Sequence, residues 1–314
     1  MNKIDKDTFR RLSKRSDMLG ITHISLHLSI LFLSLFMFHY FFISQFYLLS
    51  IISFLSYGFV VSFLGWTGAA HEMAHRSAFA SQKINEFFLN VCCFLTWSNK
   101  VYFRKTHMAH HKNTFVQDID YEVEWDIKKS INPNISLVLF DILKCYRTLK
   151  AFILNSVNIV PANKLSNLEL DNDMIFRLSL FKFSRGIVIA HLSVLSILLL
   201  LNVPHIALVI LFGPFAFTYP SRLLAFAQHH GMEPVPKITT ENSRTVILNR
   251  ILSFLYWNMN YHVEHHLYPN VPFYRLPELR SKLFGYYDEK RMSLINVFEL
   301  LKSDQKKVLR KVKI

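Results

Sequence analysis

Two long blocks of the chain carry no formal charge. From residue 18 to residue 70 there is no Lys, Arg, Asp or Glu, and the same holds from Ile187 to Ser221. A helix needs about 20 apolar residues to cross the hydrocarbon core of a bilayer. The first block therefore predicts a span over Leu19–Ile43 and another from Gln45 to about Trp66. The second predicts spans from Ile187 to about Leu201 and from His205 to about Ala225. The links inside each pair are uncharged, as expected of tight turns. Outside these blocks the pattern is amphipathic. Ala80–Trp97 carries Lys83 and Glu86 and reads as an interfacial or partly buried helix. Ile135–Leu154 is apolar on one side, with Lys144, Arg147 and Lys150 on the other, the pattern of a helix lying along a membrane surface. It sits within a polar segment, residues 112–182, that bears Asp118, Asp120, Glu122, Glu124 and Asp126.

The expected architecture is all-α and membrane-embedded, with four transmembrane helices in two hairpins forming one domain over residues 1–314 and its core at about 60–285. Composition agrees: 51% of the chain is hydrophobic and it contains 29 Phe. The net charge, 36 − 22 = +14, is gathered between and beyond the uncharged blocks. Basic residues favour the cytoplasmic side of a membrane, which places the basic N-terminus (1–17), the basic tail (287–314) and the segments between the hairpins on that one face. The cations are thereby accounted for, and no nucleic-acid partner is expected. Three cysteines, two of them adjacent, make no disulfide framework and suit a reducing compartment. The apolar run from Leu19 is too long for a cleavable leader.

The chemistry lies in three histidine clusters: His71-Glu-Met-Ala-His75, His107-Met-Ala-His110-His111 and His262-Val-Glu-His265-His266. Offsets of three and four stack on one face of a helical turn. Eight imidazoles so placed exceed what one metal ion needs and suit two. Carboxylates are nearly absent from the clusters, apart from Glu72 and Glu264, which separates them from Glu-rich helical-bundle metal sites. Asn258, four residues before His262, is placed to orient it. His23, His27, His39, His191 and His205 fall in or near the predicted spans and read as packing or interfacial residues. Two rival readings exist. His71-Glu72-Met-Ala-His75 also fits the zinc-protease pattern, with Glu72 as general base, but leaves the other clusters unexplained. A metal transporter would place its histidines inside the spans rather than at their ends.

Together the three clusters resemble the histidine boxes of the membrane fatty acid desaturase superfamily, over roughly residues 60–285. The run Leu267-Tyr-Pro-Asn-Val-Pro-Phe-Tyr-Arg-Leu-Pro is similar to that family as well. In tone the chain is similar to its small bacterial branches, such as rhizobitoxine desaturase-like enzymes and carotenoid ketolases. The resemblance implies a multi-pass protein of a bacterial inner membrane with its active site on the cytoplasmic face. It implies two non-haem iron ions held by His71, His75, His107, His110, His111, His262, His265 and His266, with a ninth nitrogen from His229 or His230, of which His230 is preferred. The implied reaction is O2-dependent desaturation of an aliphatic, fatty acyl chain, or hydroxylation or ketolation of a lipid, carotenoid or small amino-acid-derived substrate. No haem-binding, iron–sulfur or dinucleotide motif is present, so electrons would come from a separate ferredoxin or cytochrome b5-type donor. The basic residues Arg104, Lys105 and Lys112 are the expected docking face.

Overall fold

The computed structural model describes residues 4–114, 116, 120, 122, 135–160, 173–230, 242–283, 291–297, 299–300 and 303. Asp118, Glu124, Asp126 and the basic run after Lys306 lie outside them. The described chain is mostly helical. A short basic helix, α1 (Lys6–Leu12), leads through Ser16, whose hydroxyl accepts from Leu19 N–H, into the long apolar α2 (Asp17–Ile43). The chain reverses through Gln45, at φ 63°, into α3 (Tyr47–Ser62). Next come α4 (Ala69–Ala74), α5 (Gln82–Leu95) and α6 (Lys100–Lys112), the last capped by the Asn99 side chain. The amphipathic segment forms two helices, α7 (Ile135–Leu139) and α8 (Ile142–Ser156). Asp141 separates them, because its carboxylate caps α8 through Lys144 N–H.

The second hairpin is α9 (Met174–Leu200) and α10 (Pro204–Phe212), joined through Asn202 at φ 57°. After it stand α11 (Tyr219–His229), strand β1 (Thr245–Ile247), α12 (Arg250–Leu255), α13 (His262–Leu267), α14 (Leu276–Lys282) and strand β2 (Arg291–Ser293). The strands form a parallel pair, Val246 opposite Met292, which with an isolated antiparallel bridge between Phe140 and Ala216 departs from an all-α fold.

Among the described residues, only α2 and α9 are long and apolar enough to cross a membrane, at 27 residues each. They bury just 11% and 17% of their most apolar windows, so neither is the core helix of a soluble protein. The second and fourth predicted spans are shorter than the sequence predicts. α3 ends at Ser62, and the expected His205–Ala225 helix breaks after Phe212 into a 3-10 turn and then α11. Pro214 and Pro220 cause the break, since each lacks an N–H and disfavours helical geometry in the residue before it. α9 in turn starts well before Ile187 and carries Arg177, Lys182 and Arg185 on its first turns.

The hairpins meet at both ends. At one, His39 Nδ1 lies 2.7 Å from His205 Nε2. Nearer the clusters, α3 touches the turn after α10, where a Cβ on Gly58 would fall 2.0 Å from the Ala216 carbonyl oxygen. The first-span histidines pack. His27 contacts the Val60 carbonyl at 3.1 Å and accepts from Trp257 Nε1–H at 3.1 Å. His191 stacks on Trp97, with centroids 3.6 Å apart. Replacing Gly58 by Val should cost on the order of 1–3 kcal/mol through this clash and lower the melting midpoint of the detergent-solubilised protein. Gly186→Ala, where an added Cβ meets nothing within 4 Å, should leave the midpoint unchanged or raise it. Equal midpoints for the two variants would contradict the close approach.

Candidate metal centre

Each cluster sits on a short helical turn at the edge of the hairpins. α4 carries His71, with His75 as its C-cap; α6 carries His107, His110 and His111; α13 carries His262, His265 and His266. The turns converge so that nine imidazoles form two groups, in each of which the ligand nitrogens lie within 4.8 Å of one another. One group is His71, His75, His107, His111 and His265; the other is His110, His229, His262 and His266. The i, i+4 pairs stay together, and the i+3 histidine of each triple, His110 or His265, serves the opposite group from its neighbours.

Eight of the predicted residues are thus brought together, and of the two candidates for the ninth nitrogen it is His229, not the preferred His230, that joins them. His229 faces the second group, with its Nε2 2.8 Å from His262 Nε2, whereas His230 lies outside both and stacks on Phe226. The local backbone explains the choice. α11 ends at His229, and Arg244 N–H and the Gln228 side chain tie that end to Gln228 O and Met259 O, beside the third cluster. His229 Nδ1 donates to Asn242 O at 2.8 Å, fixing the ring.

The same outward anchoring recurs. His71 Nδ1 donates to Trp66 O at 3.1 Å, His107 Nδ1 meets Glu122 at 2.8 Å and His110 Nδ1 meets both oxygens of Asp120 at 3.0 Å. A neutral imidazole has one N–H. Spending it outward leaves the inner Nε2 of these four rings as lone pairs. Burial, and then the neighbouring histidines, hold His71, His107, His111, His262, His265 and His266 well below the usual imidazole range. Burial takes His75 and His229 to about 3. His110 alone is raised, because its bond to Asp120 and the nearby carboxylates outweigh its burial.

Inner nitrogens stand 2.9 Å apart for His71–His265, 2.7 Å for His75–His107 and 3.0 Å for both His107–His111 and His262–His266. Two nitrogens binding one ion at right angles, with bonds of about 2.1 Å, lie about 3.0 Å apart. The buried Nδ1 atoms of His262 and His266 have no hydrogen-bond partner among the described residues. A converging all-nitrogen donor set of this spacing, held neutral by burial at every ring but His110, fits first-row transition metals.

Several supporting residues escape the sequence reading. Asp120 and Glu122 read there as part of a polar segment, although carboxylates two apart, just beyond a histidine triple, are a usable signal for orienting groups. Glu72, buried and raised to about 8 by that burial, accepts from Ser77 Oγ and Phe273 N–H and places Oε1 3.4 Å from His265 Nδ1. It backs a ligand from outside the centre, which is not the position of a protease base. Glu264 likewise turns outward, to Thr245 at 2.6 Å and Arg280 at 3.2 Å. Asn258 donates to Phe273 O and makes no hydrogen bond to His262 among the described residues. Arg104, expected on a docking face, joins Lys100 in clamping Glu86 and so ties α6 to α5. The Glu86 carboxyl falls to about 2 because those two cations outweigh its partial burial. Lys105 and Lys112 stay exposed.

A cavity of about 410 Å³ lies beside the centre. Its wall includes Trp66, whose carbonyl anchors His71 and whose ring stacks at 3.8 Å on Phe103, which in turn stacks on His107.

Comparison with known proteins agrees with this geometry. The family model for "Fatty acid desaturase" matches residues 46–297. The chain is 26% identical over 229 residues to a sphingolipid delta(4)-desaturase of Xenopus tropicalis, 26% over 233 residues to that of Bos taurus and 23% over 232 residues to that of Homo sapiens. Each match covers 71% of this chain and 62% of the relative, so the chain spans less than two thirds of the length of these curated relatives.

Asp120→Asn and Glu122→Gln keep the shape of their side chains but weaken the acceptors that orient His110 and His107. Each should lower the affinity of the centre for a divalent transition metal about 10–100-fold, as read by competition with a chelator. Affinities equal to wild type would show that these carboxylates do not tune the centre.

Proposed function

Since the chain belongs to the fatty acid desaturase family, and is accordingly an oxidoreductase, we propose that it is a di-iron enzyme that uses O2 to desaturate an aliphatic chain of a lipid. The observation that carries the reading is the division of nine inward-facing imidazoles into two groups of five and four. The ligands are then His71, His75, His107, His111 and His265 for one iron, and His110, His229, His262 and His266 for the other. Iron bound there would supply the activation of O2 and the cleavage of an unactivated C–H bond.

The chain's own residues do the rest. Trp66 O, Asn242 O, Asp120 and Glu122 hold the tautomers that aim the lone pairs inward. The Trp66–Phe103 stack stands between the cavity and His107, keeping the centre dry and setting where a chain can approach. Overall, a –CH2–CH2– unit, O2, two electrons and two protons give –CH=CH– and two waters. The electrons come from a separate donor of ferredoxin or cytochrome b5 type, for which Lys112 and Lys105, the latter 3.9 Å from Asp173, are the exposed cations left on the proposed docking face. In this reading α2 and α9 each cross the bilayer, and the shorter α3 and α10, continued by the turns after them, are the return limbs of two hairpins in a multi-pass membrane protein. The histidine turns lie on the cytoplasmic side, with the basic residues.

Expression in a bacterial host that lacks the activity should yield a lipid fraction with new double bonds, seen by mass spectrometry. His265→Ala and His229→Ala should abolish the product and deplete iron, while His230→Ala should keep both. New hydroxylated rather than unsaturated chains would move the assignment to a hydroxylase on the same centre. No oxidised lipid from an iron-loaded protein supplied with reductant would overturn the reading. Iron loss with His230→Ala alone would overturn the ligand assignment.

A further inference from the structure

The amphipathic helix α8 is oriented with its apolar side out. Ile142, Leu143, Tyr146, Ile153 and Val157 are each at least half exposed. Its opposite side, with Lys144, Arg147, Ala151 and Phe152, lines the cavity beside the metal centre. Such a helix lies with its apolar face in lipid, so its cations are presented to the cavity rather than to bulk water. Lys150, the third cation of the helix, goes the other way and lies over the Tyr146 ring.

The charges do not cancel inside the molecule. Arg222, also on the cavity wall, is paired with Asp141 at 2.8 Å. The Lys144 and Arg147 side chains make no ion pair with a carboxylate among the described residues, and both lie on the cavity wall with part of their surface open to solvent. The same wall carries the apolar Ala151, Phe152, Trp97 and Val61 among small polar residues such as Thr96 and Ser98, and it includes Trp66, whose carbonyl holds His71. A cavity with two such cations and several apolar side chains on its wall, bordered by a lipid-facing helix, matches an anionic amphiphile.

We propose that the cavity takes a lipid whose polar end carries a phosphate or carboxylate, held by Lys144 and Arg147, with its acyl chain running past Phe152 toward Trp66. This deepens the desaturase reading and rests on it for the role of the centre, but the binding step stands apart from turnover. The guanidinium can bind either anion through two parallel hydrogen bonds and the ammonium adds a point charge.

The test is native mass spectrometry of the full-length, iron-loaded enzyme in detergent, titrated separately with palmitate, dipalmitoylphosphatidylglycerol and a neutral dihydroceramide. At least one anionic lipid should be retained well above the dihydroceramide. Which one it is distinguishes a carboxylate from a phosphodiester. Lys144→Gln and Arg147→Gln should each weaken that binding about tenfold, leaving dihydroceramide retention and iron content unchanged. Lys83→Gln, on an exposed face of α5, should have no effect. Dihydroceramide bound as tightly as both anionic lipids, or a double variant that binds them like wild type, would overturn the inference. Either result with iron intact leaves the desaturase reading standing. A wild-type protein that binds the anionic lipid but takes up no iron would keep this inference and count against the di-iron reading.

Discussion

Nine largely buried imidazoles crowd their inner nitrogens into two groups, where each lone pair needs a proton or a metal ion to share. That constraint governs the centre. Each anchored ring donates its one N–H outward, to Trp66 O, Asn242 O, Asp120 or Glu122, and so turns an unprotonated nitrogen inward. In water such rings would protonate or separate; here burial keeps most of them neutral, and the surrounding turns hold them 2.7–3.0 Å apart at the closest contacts. The remaining structure is the frame that makes this arrangement tolerable.

The frame has two parts. The hairpins present apolar surface outward and stay in register through close contacts such as Gly58 against Ala216. The polar cap then closes on itself through buried links: Glu72 to Ser77 and Phe273, Glu264 to Thr245 and Arg280, and Asn260 to Val246. These join the three histidine turns, far apart in sequence, into one body. The proline break after α10 belongs to the same design, because it redirects the chain so that α11 ends at the second group.

Much of this is legible in the sequence. The uncharged blocks mark the hairpins, and the repeated i, i+3, i+4 histidines mark eight of the nine converging rings, because both signals are local periodicities. What escapes depends on tertiary direction. Adjacent residues at a helix end point about 100° apart, so whether His229 or His230 faces inward turns on how Pro220 starts α11 and on the ties from Gln228 to Met259. Asp120 and Glu122 escape because an acidic segment reads as solvated until a histidine is found against it. Arg104 looks like a surface cation, yet its partner Glu86 lies eighteen residues back on the adjacent helix. Hydropathy carries the second span past Ser62, where α3 ends, and the fourth past Phe212, where Pro214 and Pro220 stop the helix.

The most direct test is the metal content of the purified full-length protein, with His110→Ala and His265→Ala beside it. The account predicts about two irons per chain, nearly all lost in both variants because one residue serves each group. A single zinc per chain, untouched by those two changes and lost with His71→Ala, would contradict it and return Glu72 to the role of a protease base.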